Sequence, residues 1–182
     1  RKGGPLVVQA FTILRKKYLW SAELYLAGAK ESDIRDALRE RQIRVEEVDW
    51  QKIHLLGDLG SEKLTDYYNL CDVFCMPSYF EAYGLVFAEA LTYGLPCIGR
   101  DKFAMSEFIE DGCTGRLISG EDAEELALDL WEVLQDPKYR EEVERRREWY
   151  LREYSWDKVA QRICRVMEKN ERDKAQYRSA GV

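Results

Sequence analysis

The chain has one histidine, His54, and four prolines in 182 residues. A lone His inside the run IHLLG (53–57) leaves a Ser/His/Asp or Cys/His triad unsupported, and it reads as a structural residue near a strand end. No apolar run approaches the ~18 residues needed to cross a bilayer, and no signal-peptide core stands at the N-terminus. Basic charge is not in excess either. With 28 Lys+Arg against 34 Asp+Glu the formal net charge is -6, which excludes a general nucleic-acid or acidic-membrane binder. The five cysteines (71, 75, 97, 113, 164) are odd in number and lack paired CxxC spacing, so they suggest neither a disulfide framework nor a zinc site. A reducing compartment, the cytosol, is the simpler setting. There is no GxGxxG, and GDLGSEK (57–63) lacks the spacing of a Walker A loop. Glu62 and Asp72 show no metal-ligand spacing.

What is present is a soluble-type chain, 46% hydrophobic and 34% charged, of the length of one domain. After RKGG, an amphipathic helix is expected through Leu6, Ala10, Phe11 and Leu14. Strands are expected at 22–28, 53–57, 72–78, 96–100 and 115–119, with helices between them over 32–42, 61–70, 84–93 and 106–110. Ser32 and Ser61 are the expected N-caps. DVFCMPS, apolar and stopped by Pro77, reads as a strand buried on both faces. Beyond Gly120 only helices are expected, over 121–135, 137–154 and 156–170, followed by a polar, frayed tail at 171–182. Alternating strands and helices imply an α/β fold with a doubly wound, Rossmann-like parallel sheet and extra C-terminal helices. Its ligand site belongs at the carboxyl ends of the strands.

The segment PSYFEAYGLVFAEALTYGLPCIGR (77–100) is the most informative. It joins a strand to a helix through a loop that holds Glu81 and ends at Gly84, where backbone can approach a ligand closely. The following helix points free N–H groups and a positive dipole end outward, which suits phosphate. Glu89 is flanked by apolar residues on a helix expected to be buried nearly all round, so its carboxylate needs hydrogen-bond donors such as two vicinal ribose hydroxyls. The plainer alternative sets Glu89 on a narrow solvent stripe with Thr92 and makes Glu81 an ordinary loop acid.

Glu81, seven residues, then Glu89 resembles the E-x7-E signature of retaining GT-B glycosyltransferases, in particular family 4, glycosyl transferases group 1. The order of the other blocks is similar as well: RKGG, ELYLAG, IHLLG, LTDYYNLCDVFCMPS, AMSEFIEDGCTGRLI and YSWDKVAQRI. The resemblance implies the C-terminal, donor-binding half of a two-domain enzyme, with the domain over 1–170 and its first strand ahead of Arg1. The donor is implied to be a UDP- or GDP-sugar and the reaction retaining hexosyl transfer, with no metal or other cofactor required. Glu89 would hold the ribose hydroxyls, and Glu81 would contact the sugar hydroxyls. The amides of Ala82, Tyr83, Gly84 and Leu85 would bind sugar and diphosphate, and Lys2 would neutralise the leaving group. Gly28 and the turn 57–59 would frame the base, and Arg100 and Lys102 are further candidate cations. The partner implied is an N-terminal acceptor domain; a lipid acceptor would bring membrane association.

Two departures stand out. The Arg usually found upstream of the Lys is not at that spacing, and Phe103-Ala104 occupies the place of a frequent Gly-Gly. A nucleotide-sugar epimerase shares the architecture, and a non-catalytic interaction domain using Trp131, Trp149 and Trp156 is the reading from a different class.

Overall fold

The structure is a computed structural model that describes residues 2–179, with side chains described for 2–170; Arg1 and the last three residues of the expected tail lie outside the described residues. Helix α1 (Gly4–Lys17) leads to β1 (Leu24–Ala27), α2 (Glu31–Glu40), two 3-10 turns, β2 (Ile53–Gly57), α3 (Ser61–Leu70) and β3 (Phe74–Cys75). Then follow α4 (Leu85–Thr92), β4 (Cys97–Arg100), α5 (Met105–Phe108), β5 (Gly115–Ile118), α6 (Ala123–Gln135), α7 (Lys138–Glu153) and α8 (Trp156–Ser179).

All the strand pairings are parallel, as the alternation requires, but the hydrogen bonding is in two pieces: β1–β2 and β3–β4–β5. Because β3 pairs only with β4 and forms a two-residue ladder, residues 73–76 are half-buried. The strand buried on both faces is β4, in the middle of the three, all four of whose residues are buried. Its side chains alternate between two cores, as period-two geometry demands. Cys97 joins Phe87 and Leu91 of α4, Met105 and Phe108 of α5, and Val143 and Tyr150 of α7. Ile98 joins Leu6, Val7, Ala10 and Leu14 of α1 and Leu126, Leu130 and Val133 of α6. A third cluster packs Val8 and Phe11 of α1 on Ile34 and Leu38 of α2 over Ile53. Helices therefore cover both faces of a Rossmann-like, doubly wound α/β arrangement.

Several boundaries differ from the sequence expectation. Lys30 and Gly60 are the N-caps in place of Ser32 and Ser61, because those two hold the extended backbone a cap requires and the serines already lie within the helices. Helix α5 starts at Met105 and ends at Phe108, and β1 starts at Leu24. Helix α8 runs to Ser179, since ERDKAQYRS is free of Gly and Pro and polarity does not break a helix. Of the three tryptophans of the C-terminal helices, Trp131 is half-buried and stacks on Tyr18, Trp149 meets Tyr150 and Tyr154 edge-on, and Trp156 is 85% exposed. Among the described residues no helix is long and apolar enough to cross a membrane.

Candidate functional site

The carboxyl ends of the strands gather the residues singled out above. Between β3 and α4, Pro77 and Ser78 are buried while Phe80, Ala82 and Tyr83 are exposed, so the loop is anchored at its root and open at its tip. Gly84 caps α4 with φ +82, a left-handed conformation favouring Gly. A Cβ there would stand 3.1 Å from the Phe87 ring and 3.2 Å from Glu81 Cγ, so the missing side chain also lets Glu81 lie against the helix start. No side chain caps α4; in its first turn the Phe87 N–H donates to the Gly84 carbonyl at 2.9 Å.

Lys2 Nζ donates a hydrogen bond to the Glu81 carboxylate, which is 13% exposed. Gly3 makes this contact possible: its φ is +82, and a Cβ would lie 2.6 Å from the Pro77 carbonyl oxygen, so α1 enters hard against the root of the loop. Lys2, Glu81, Gly84 and the loop Ala82–Leu85 thus come together at one helix start.

Glu89 lies one turn beyond, and here the expected burial is not found. Leu85 and Glu89 are exposed and Thr92 is half-buried, so the i, i+4, i+7 spacing opens one stripe of α4 to solvent while Phe87, Ala88, Ala90 and Leu91 face the core. The carboxylate is therefore not desolvated. Its partner is Tyr68 on α3, whose hydroxyl donates to Oε2 at 3.2 Å. Burial and the neighbouring Glu89 push the Tyr68 hydroxyl well above its ordinary range, so it remains a donor. Tyr68 in turn stacks on Tyr93.

Gly28 stands at the end of β1 with φ +72 and donates its N–H to the Gly57 carbonyl at 2.7 Å. Nothing lies within 4 Å of where a Cβ would be on either glycine, so both present open backbone on the same edge. Lys102 is exposed. Arg100 is not a solvated surface cation: it is buried beneath the Tyr79 ring, 4.7 Å from the ring centre, with Nη1 donating to the Gly120 carbonyl. Its Nε and Nη2, like Ser78 Oγ, have no hydrogen-bond partner among the described residues. Tyr79 is held over it by Arg41 Nη2, which donates to the phenol at 2.7 Å, and by Glu121, which accepts from it at 2.9 Å.

Sequence reasoning gave Tyr68 and Tyr79 no place at the strand ends and noted Phe103 only as a departure. Phe103 carried a signal, since it occupies a place where Gly is frequent, and it has φ +56. The two tyrosines carried none, because their roles depend on elements distant in the chain.

Residues 1–150 match the model of the family described as glycosyl transferases group 1. The chain belongs to that family. A D-inositol 3-phosphate glycosyltransferase of Kribbella flavida is 32% identical over 98 residues, 54% of this chain and 23% of that protein. An uncharacterized glycosyltransferase of Methanocaldococcus jannaschii is 27% identical over 169 residues, 91% of this chain and 41% of its own length. A phosphatidyl-myo-inositol mannosyltransferase of Mycolicibacterium smegmatis is 29% identical over 117 residues, 64% of this chain and 30% of the relative. This family member thus spans well under half the length of these curated relatives.

Among solved structures it is similar to the pneumococcal O-GlcNAc transferase GtfA in complex with UDP and GlcNAc, with TM-score 0.68 and 25% identity over 89% of this chain and 33% of that one. It also shares its fold with a sucrose-phosphate synthase from Thermosynechococcus elongatus, with TM-score 0.73 and 23% identity over 95% and 43% of the two chains. The fold is that of one half of a GT-B glycosyltransferase.

Proposed function

We propose that this chain is the donor-binding domain of a retaining glycosyltransferase that moves a hexose from a UDP- or GDP-sugar to an acceptor held by another domain. The observation that carries the reading is the meeting of Lys2 and Glu81 beside the uncapped start of α4. A cation, a run of backbone amides and the positive end of a helix dipole are what a diphosphate needs in a chain of net charge -6.

In this reading the diphosphate rests on the amides of Ala82, Tyr83, Gly84 and Leu85. Lys2 stabilises the charge that grows on it as the glycosidic bond breaks. Glu81 accepts hydrogen bonds from the hexose hydroxyls and fixes the anomeric carbon. Glu89, oriented by Tyr68, accepts from the two ribose hydroxyls, for which an exposed carboxylate is accessible. The open backbone of Gly28 frames the base. In this reading cationic and amide donors take the charge of the diphosphate. A neighbouring structure's complex with UDP and GlcNAc is in keeping with a sugar-nucleotide donor. Five free thiols fit a cytoplasmic setting.

The domain alone binds donor without turnover, because the acceptor and part of the water-excluding cleft come from the other half. Calorimetric titration with UDP, GDP and their hexoses tests the reading. Saturable binding of at least one nucleotide is expected; no saturable binding by any of them at millimolar concentration would overturn it.

A further inference from the structure

Phe103 holds a backbone conformation that suits glycine, with φ +56, and leaves 51% of its surface in solvent. Neither fact favours phenylalanine: the left-handed region costs a Cβ-bearing residue free energy, and so exposed a ring recovers little of it by burial. Strain of this kind collects at functional sites. The ring meets Phe80, itself 50% exposed, edge to face with centroids 5.2 Å apart. Phe80 immediately precedes Glu81, whose carboxylate Lys2 contacts, so the pair belongs to the loop that carries that carboxylate. Asp101 and Lys102, both exposed, directly precede Phe103 in the chain.

Two exposed rings at an angle of 69°, each next in the chain to charged residues (Glu81 after Phe80, Asp101 and Lys102 before Phe103), form a small apolar patch. A hydrocarbon chain needs a continuous apolar groove, and these charges interrupt one. A pyranose ring has the matching chemistry: one face of C–H groups and an edge of hydroxyls.

We propose that Phe80 and Phe103 form a stacking platform for the C–H face of a pyranose ring whose hydroxyls reach Glu81. Phe103 is then a specificity-determining residue, and its strained backbone is the cost of placing the ring there. This inference rests on the reading of the strand ends as a sugar-nucleotide site. The pyranose is either the hexose of the donor or a sugar of the acceptor, and the chemistry of contact is the same.

The test uses the chain as it is, with Phe103→Gly and Phe80→Ala, titrated with UDP, GDP, UDP-glucose, GDP-mannose, and free glucose and mannose. Phe103→Gly relieves the positive φ, so its melting temperature is expected to stay level or rise. Its affinity for UDP or GDP is expected to be unchanged. If the platform holds the donor hexose, affinity for the sugar nucleotide falls about three- to tenfold in both variants, the size of one aromatic contact. If it holds an acceptor sugar, that loss appears with the free hexose while the sugar nucleotide binds as before. In either case the sugar C–H resonances shift upfield on binding to the unaltered chain and do so less with the variants.

Unchanged affinity for every sugar-bearing probe, or an equal loss for nucleotide and sugar nucleotide, overturns the platform and leaves the nucleotide site intact. Failure of the unaltered chain to bind any nucleotide removes the reading of the site itself, and the platform with it.

Discussion

Lys2 and Glu81, separated by 79 positions in sequence, are hydrogen-bonded at the start of α4. The pair is half-open, with side-chain exposures of 51% and 13%, so it adds little to stability, on the order of 0–1 kcal/mol. Its value lies in holding a cation next to a carboxylate where charge and hydroxyls of a donor arrive. Lys2→Met is expected to leave the melting temperature within a few degrees of the parent and to weaken UDP or GDP binding about tenfold or more. The parent's affinity should fall with added salt, and the variant's less steeply. Calorimetry at two ionic strengths measures both.

Gly3 ties that cation to the loop. Alanine at Gly3 needs a positive φ and a Cβ 2.6 Å from the Pro77 carbonyl, so the entry to α1 must shift. Gly3→Ala is expected to cost about 1–3 kcal/mol in urea unfolding and to reduce nucleotide affinity as Lys2→Met does, although no charge is removed.

Tyr68→Phe removes the one hydrogen bond that orients Glu89 from the protein side. About 0.5–1.5 kcal/mol of stability is expected to be lost. Nucleotide affinity falls several-fold while the preference between nucleotide and sugar nucleotide is kept, because the sugar lies at the other glutamate. Paired titrations with UDP and UDP-glucose check the ratio.

Gly115 is required where β4 and β5 pair, since a Cβ there would stand 1.7 Å from the Cys97 carbonyl oxygen. Gly115→Ala must open the ladder, and a loss of more than about 3 kcal/mol, or failure to fold, is expected on chemical denaturation.

Acid stability should report Glu23. Hydrogen bonds from Lys52, His54 and Tyr25 hold its carboxyl down to about 2, against an ordinary 4.5. A depressed carboxyl contributes stability that is complete above the unfolded value and is lost as pH falls through the folded one, so the window is pH 4.5 to about 2. Glu23→Gln is expected to make the pH dependence of the urea midpoint less steep in that window.

The alternation of apolar runs with helical periods, with Gly84 at the start of α4 and Gly94 just past its end, was legible because each signal is local. The E-x7-E spacing placed one carboxylate in the loop and the other on the helix for the same reason. What could not be read were relations across the chain. The split between β1–β2 and β3–β4–β5 depends on which strand edges meet, and the half-buried state of β3 follows from its single neighbour. For Glu89 the apolar neighbours pointed to a buried carboxylate and the plainer alternative to a solvent stripe shared with Thr92; the structure has the stripe, because positions 85, 89 and 92 share one face. Arg100, a candidate cation by its position after β4, lies buried under Tyr79, which comes from a distant part of the chain.

The central claim is a division of labour between two carboxylates, Glu89 for the nucleoside and Glu81 for the sugar. Titration of Glu89→Gln and Glu81→Gln with UDP or GDP and with the matching sugar nucleotide tests it most directly. The account predicts that Glu89→Gln weakens nucleotide and sugar nucleotide by the same factor, about tenfold or more, while Glu81→Gln weakens only the sugar nucleotide. Nucleotide binding by Glu89→Gln at the parent's affinity would contradict it.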